Sequence, residues 1–163
     1  MIGAVEVGDR AARPEGLGGD ADLVRLVRAD LAQGQLGDDL LWEEGVDEQG
    51  EPSKAFPASV KEQWDAQVAR GAGRYAIYCT PCHGRLGDGN GMVVQRGLRQ
   101  APTYHSDRLR AEKPGYFFDV ITNGFGVMPD YRAQIPAEDR WKITAYIRAL
   151  QISHNATVDD VPD

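Results

Sequence analysis

From residue 59 onward, apolar side chains recur at helical spacing in three separate stretches. The first holds Trp64, Val68, Tyr75 and Tyr78 and predicts an amphipathic helix running to about Cys79. Ser59 and Glu62 stand three residues apart at its start, the spacing of a capping box. The second stretch opens at Pro114, a favoured first-turn residue. It carries Tyr116, Phe117, Val120 and Ile121 and stops at Asn123-Gly124. The third follows Pro136 and runs to about Gln151, with Trp141, Ile143, Ala145, Tyr146, Ile147 and Leu150 as its apolar side. Gly71 and Gly73 sit inside the first helix. A glycine there costs about 1 kcal/mol against alanine, so a close helix crossing is expected to compensate.

The segments between are built differently. Gly84, Gly87, Gly89 and Gly91 fall within eight residues and predict a loop that turns tightly around a cofactor edge. Residues 92–112 read as mostly irregular, with Pro102 in their middle. Residues 1–20 read as a glycine-rich leader. Leu23, Leu26, Val27 and Leu31 form one face of a short helix over 22–33, either a surface helix or a docking element. Residues 35–58 alternate acids with turn residues and read as an extended arm, with a weak hairpin near Asp47 to Gly50. The expected organisation is an acidic arm over 1–58, a helical domain over 59–152 and a polar tail over 153–163.

Charge supports that division. Of a net −7, residues 1–58 carry 13 acids against 5 bases, and residues 59–163 carry 12 acids against 13 bases. Such a balance argues against general nucleic-acid binding. Within 69–113, eight bases face three acids, a candidate docking face for an acidic partner. No run of 18 apolar residues predicts a transmembrane helix. The stretch Met1 to Gly19 has neither a basic n-region nor an apolar h-region.

The chemistry concentrates in Cys79-Thr80-Pro81-Cys82-His83, which holds both cysteines of the chain. A redox dithiol of this spacing calls for strand-rich flanks, which are absent. Structural zinc calls for four ligands, and only His105 and His154 remain elsewhere. A plain disulfide leaves His83 unexplained. Cys-x-x-Cys-His is the attachment pattern of a c-type haem: Cys79 and Cys82 form thioethers and His83 becomes the proximal iron ligand. Haem c is attached outside the bacterial cytoplasmic membrane, so an extracytoplasmic, periplasmic location is expected. For the second axial ligand the chain offers Met1, Met92 and Met128, with His105 and His154 as alternatives. Met128 is favoured, because Pro129 stiffens its loop and Gly126 lets the backbone pass near the ring. Tyr131, Trp141 or an arginine are candidates to hydrogen-bond the propionates, with ordinary core packing the competing reading for each aromatic and the favoured one for Trp141.

From Ser59 to about Ile152 the chain resembles class I cytochromes c. Gly71 and Tyr75 stand eight and four residues before the first cysteine. Ile143 and Tyr146 stand three apart on the last helix, and Met128-Pro129 matches the methionine loop. The resemblance implies an all-α fold of three to four helices around one covalent haem, with Gly71, Tyr75, Ile143 and Tyr146 at a helix crossing. It also implies that the Pro102 carbonyl orients the proximal imidazole. A closer resemblance covers Arg74 to Gln151, in the strings Tyr75-Ala-Ile-Tyr-Cys-Thr-Pro-Cys-His-Gly, Gly87-Asp-Gly-Asn-Gly-Met and Phe118-Asp-Val-Ile-Thr-Asn-Gly-Phe-Gly-Val-Met-Pro. These are similar to the monohaem cytochrome subunit of alternative complex III, a bacterial quinol-oxidising respiratory complex. That likeness implies one-electron transfer, with no catalysis by this chain alone. The partners would be other subunits of a membrane complex, including a multi-haem cytochrome, and an acceptor oxidase or cytochrome. A free diffusible cytochrome c, and a haem enzyme or gas sensor with an open axial position, are the competing expectations.

Overall fold

The computed structural model describes residues 41–157. The leader, the 22–33 helix, the start of the arm and the last six residues of the tail lie outside the described residues. The described residues form one compact unit.

Among the described residues the regular structure is helical, with two isolated antiparallel bridges and no strand. The elements are α1 (Ala58–Glu62), α2 (Trp64–Tyr78), α3 (Thr80–His83), α4 (Met92–Gln95), α5 (Asp107–Ala111), α6 (Pro114–Asn123) and α7 (Ala137–Asn155). The all-α expectation holds. The first predicted helix differs in one respect: it breaks at Gln63 (φ −129°, ψ 43°) into α1 and α2. Pro57, not Ser59, occupies the N-cap of α1, and no side chain caps it. Ser59 falls inside the helix, so the Ser59–Glu62 capping box does not form. The stretch 92–112, read as irregular, contains α4 and α5. Ser106 caps α5 by accepting from the Leu109 N–H (3.4 Å). Pro114 and Gly124 bound α6 as the sequence implies, and α7 runs four residues past Gln151.

The frame of the fold is the crossing of α2 over α7. At Gly71 a Cβ would collide with the Lys142 backbone carbonyl, so only glycine lets the two helices approach this closely. One turn further on, Tyr75 packs against Tyr146 (ring centroids 5.2 Å), and Ile143 is wholly buried beside them. Gly73 faces open space and takes no part in the crossing. Arg70 and Arg74 tie α2 to Asp139 on α7. Arg70 donates to both carboxylate oxygens (3.0 and 3.1 Å), and Arg74 donates to Oδ2 (2.8 Å). Burial alone would push the Asp139 carboxyl up; the two guanidiniums more than offset it and hold it below its ordinary value.

Two apolar cores lie on opposite sides of α7. One gathers Tyr75, Tyr104, Leu109, Phe117, Ile121, Ile135, Ile143 and Ile147. The other gathers Val60, Phe118, Ala137, Trp141 and Ala145, with Leu41, Trp42, Phe56, Trp64 and Val68 packed on it. The second core is closed by residues read as an extended arm. The expected weak hairpin is present as the Val46–Pro52 bridge. Far from standing free, it is sewn down: Gly115 donates to the Ser53 carbonyl (3.0 Å) and the Trp141 indole to the Trp42 carbonyl (2.9 Å). The compact unit therefore includes residues on the arm side of position 59.

Candidate functional site

Helix α3 is one turn long, and its geometry explains the site. Cys79 is its N-cap, and the His83 N–H donates to the Cys79 carbonyl (2.8 Å). Positions 79, 82 and 83 stand at i, i+3 and i+4, so one helical turn brings them to the same side. Behind them the chain reverses through Gly84, Gly87 and Gly89, all at φ 75–79°, where a side chain would strain the backbone. This loop does not edge the cavity, contrary to the reading from sequence. It folds back on α3 instead: Gly89 donates to the His83 carbonyl (2.9 Å) and Gly91 to the Cys82 carbonyl (3.0 Å). Its role is to hold the short helix in place. Tyr75 adds a buried bond to the Gly84 carbonyl (2.8 Å).

Cys79, Cys82 and His83 open onto a cavity of about 320 Å³, within the size range of cofactor sites. The cavity has a mostly apolar lining. Tyr78, Tyr104, Leu109, Tyr116, Phe117 and Val120 form its walls, and Pro102 and Tyr131 stand at its side. Met128 reaches it from the loop after α6. That loop is a tight turn in which Phe125 and Met128 exchange backbone bonds (3.1 and 3.0 Å). Gly126 and Val127 form the tip, and Met128 sits on the return, its carbonyl packed under Gly124. The two thiols are free, with no disulfide between them.

Electrostatics keep the site neutral in its ordinary state. Burial, and then the neighbouring Cys82, push the Cys79 thiol up to about 12. Burial pulls the His83 imidazole down to about 4, so it is uncharged at neutral pH with a lone pair to donate. The ring stacks on Tyr104 (4.8 Å, 16° between planes). Its Nδ1 is buried and has no hydrogen-bond partner, so the expected bond from His83 to a backbone carbonyl, that of Pro102 included, is not formed. Pro102 is exposed at the cavity rim. Tyr104 takes over the orienting contact by stacking, a role that no spacing rule in the sequence marked.

The structure also sorts the alternatives. Met92 is 59% exposed and does not line the cavity. His105 and His154 stack on each other (3.9 Å), and His105 Nε2 bonds the Leu86 carbonyl (2.7 Å). Neither reaches the cavity, and neither stands near the cysteines as a zinc ligand would. Met1 lies outside the described residues. Trp141 follows the core-packing reading and takes no part in the cavity. It is fully buried in the second core, stacked on Phe118 (4.4 Å), with its indole N–H already committed to Trp42. Tyr131 does line the cavity, packed edge-on against Tyr78 (6.3 Å).

The basic face thins as well. Arg70 and Arg74 are bound to Asp139, Arg108 to Glu112 and Arg110 to Asp107. Arg99, Gln100 and Arg108 border the cavity. Around the mouth, Leu98, Phe125 and Val127 are 50%, 66% and 71% exposed. No helix among the described residues is long and apolar enough to cross a membrane.

Two free thiols, a neutral imidazole with an unpartnered nitrogen, a thioether and apolar walls are the donor set and surroundings that suit an iron porphyrin. No curated protein matches the chain at a significant level. Residues 66–147, half of the chain, match the family described as Cytochrome C oxidase, cbb3-type, subunit III. With its all-α fold and this site, the chain belongs to that family of c-type cytochrome domains, whose cofactor is haem c and whose work is electron transfer.

Proposed function

We propose that the chain carries one haem c, bound through thioethers to Cys79 and Cys82, with His83 and Met128 as its axial ligands. The observation that carries this reading is convergence: two thiols, the imidazole and the methionine, 45 residues apart in sequence from His83 to Met128, line one apolar cavity. Haem bound there supplies a one-electron iron couple. The residues do the rest. His83 stays neutral through burial, Tyr104 fixes its ring plane, and the Gly124 turn presents the Met128 side. The apolar walls exclude water, and the exposed rim of Leu98, Phe125 and Val127 offers a contact surface for the exchanging partner.

The setting proposed is a membrane-bound quinol-oxidising complex of the alternative complex III kind, on the extracytoplasmic side. In it this chain would be the fixed monohaem subunit between a multi-haem cytochrome and an acceptor oxidase or cytochrome. Support comes from the sequence strings around the motif and from the acidic segment ahead of the domain, which a diffusing carrier does not need.

The visible spectrum and intact mass of the purified protein test the chemistry together. A single covalently added haem and a His/Met spectrum are expected. Met128→Ala opens the site to added cyanide and lowers the reduction potential; an unchanged spectrum in that variant overturns the ligand assignment. Affinity capture from solubilised membranes tests the setting. Recovery with a quinol-oxidising complex supports it. Recovery with a terminal oxidase alone, as the matched family's description would suggest, or as a monomer, overturns it.

A further inference from the structure

Arg148 lies on α7, partly buried and outside the cavity lining. Its guanidinium donates to the Arg110 carbonyl (3.2 Å), to Gln151 Oε1 (2.7 Å) and to the Glu112 carbonyl. All three acceptors are neutral. The nearby Glu112 carboxylate is turned to Arg108 (3.4 Å), and Arg148 makes no ion pair among the described residues. The cation is thus fixed in place without being cancelled at contact distance.

What it faces is the back wall of the site. Its Cζ stands 5.0 Å from the centre of the Phe117 ring. Phe117 meets Tyr104 edge-on at 6.2 Å, and Tyr104 stacks on His83 at 4.8 Å. Phe117 and Tyr104 are both buried, so the space between the cation and the imidazole is filled by apolar rings. Charge acts over longer range in such surroundings than in water.

We propose that Arg148 tunes the reduction equilibrium of the site from behind its proximal wall. This rests on the reading that His83 ligates a haem iron. Reduction lowers the charge at the iron by one, and a fixed cation nearby disfavours the more positive, oxidised state. Arg148 therefore raises the reduction potential without touching the cofactor, as a positioning residue of charge. An arginine suits the task because its flat fork stacks on Phe117 while holding three acceptors, which lysine cannot do. The simpler role, a clamp joining the 110–112 turn to α7, uses the same hydrogen bonds but predicts no change in potential.

Redox titration of the full chain, alongside its unfolding midpoint and its ligation spectrum, separates the two. Arg148→Gln should shift the reduction equilibrium toward the oxidised form by about three- to tenfold, tenfold being about 59 mV for one electron. The His/Met spectrum should not change. Arg148→Lys should retain most of the potential. Gln151→Ala removes one of the three acceptors, and the amide's own bonds to the Tyr104 and Leu109 carbonyls, but no charge; it should lower stability and leave the potential in place. Arg148→His keeps a flat ring against Phe117, and its potential should rise as pH is lowered through about 6.5, where the new imidazole gains its proton. That variant decides the matter if Arg148→Gln does not fold. Equal potentials in wild type and Arg148→Gln, parallel falls in Arg148→Lys and Gln151→Ala, or an Arg148→His potential no more pH-dependent than that of wild type, overturn the proposal. A wild-type protein with no His/Met haem overturns the ligand reading itself, which the same spectra report separately.

Discussion

The two cores of this domain draw on the same three helices, α2, α6 and α7, and differ in their aromatic residues. All six tyrosines of the chain belong to the core around the cavity, and all three tryptophans belong to the core behind α7. Tyrosine is an apolar ring with a polar tip, suited to walls that face a cofactor and must also find hydrogen-bond partners. Tyr75 shows the arrangement, with its ring against Tyr104 and Tyr146 and its hydroxyl on the Gly84 carbonyl. Tryptophan offers the largest apolar surface, suited to a core with nothing to admit. Phe118 and Phe56 pack on Trp141 at 4.4 and 5.9 Å, and the Trp42 backbone takes its one polar group. One core is shaped for a site; the other gives the site a rigid back. The buried Arg140 fits the second role: it lies over Phe118 (4.6 Å), a member of that core, and donates to the buried Thr122.

If this division holds, damage to the tryptophan core should cost stability without changing the chemistry. Trp141→Ala should destabilise the domain by about 3–5 kcal/mol, the usual range for emptying a buried aromatic site. Its axial-ligand spectrum and reduction potential should match wild type at temperatures where both are folded. A changed ligation spectrum would show that the cores are coupled through α7.

Gly71 should be the position that injures both cores together. Gly71→Ala gains about 1 kcal/mol of helix propensity. Against that, its methyl meets the Lys142 carbonyl, and overpacking of this kind costs about 1–3 kcal/mol. With backbone as the opposing atom, the loss should win. Denaturant unfolding would measure it, and a stabilised variant would refute the close crossing.

The smallest effect should come from the polar clamp on the same crossing. Asp139→Asn weakens charge-assisted bonds whose contribution shrinks where the arginine is solvated, as Arg70 is here. Because the arginines hold the Asp139 carboxyl below its ordinary value, the folded state binds that proton less readily than the unfolded state does. The stabilisation is therefore complete above the ordinary value of 3.8 and is lost as pH falls below it. The gap between wild type and Asp139→Asn should be full at pH 7 and should narrow progressively below pH 3.8. A gap that persists unchanged in acid would assign the effect to packing.

Much of the site was legible in the linear chain. Cys79, Cys82 and His83 are joined by one helical turn, so their spacing alone places them together. Pro114 and Gly124 announce the ends of α6 by local backbone chemistry. Gly71, Tyr75, Ile143 and Tyr146 were recognisable by resemblance, and the structure brings all four to the crossing. What failed did so where the answer lay on another element. Trp141 was assigned to the same apolar side as Ile143, yet the two lie roughly 200° apart around a helix. With apolar residues all round α7, periodicity could not say which face meets the cavity. The bases of 69–113 were counted as one face, but half of them have acidic partners, and those of Arg70 and Arg74 lie on α7.

The sequence by itself put Cys79, Cys82 and His83 side by side and marked the three longest helices, because motif spacing and periodicity are properties of neighbours along the chain. Only the tertiary structure decided that residues before 59 close a second core, that Met128 reaches the cavity while Met92, His105 and His154 do not, and that Tyr104, in place of a backbone carbonyl, braces His83. Those outcomes depend on which surfaces of separate elements meet, and that is settled by burial across the whole domain.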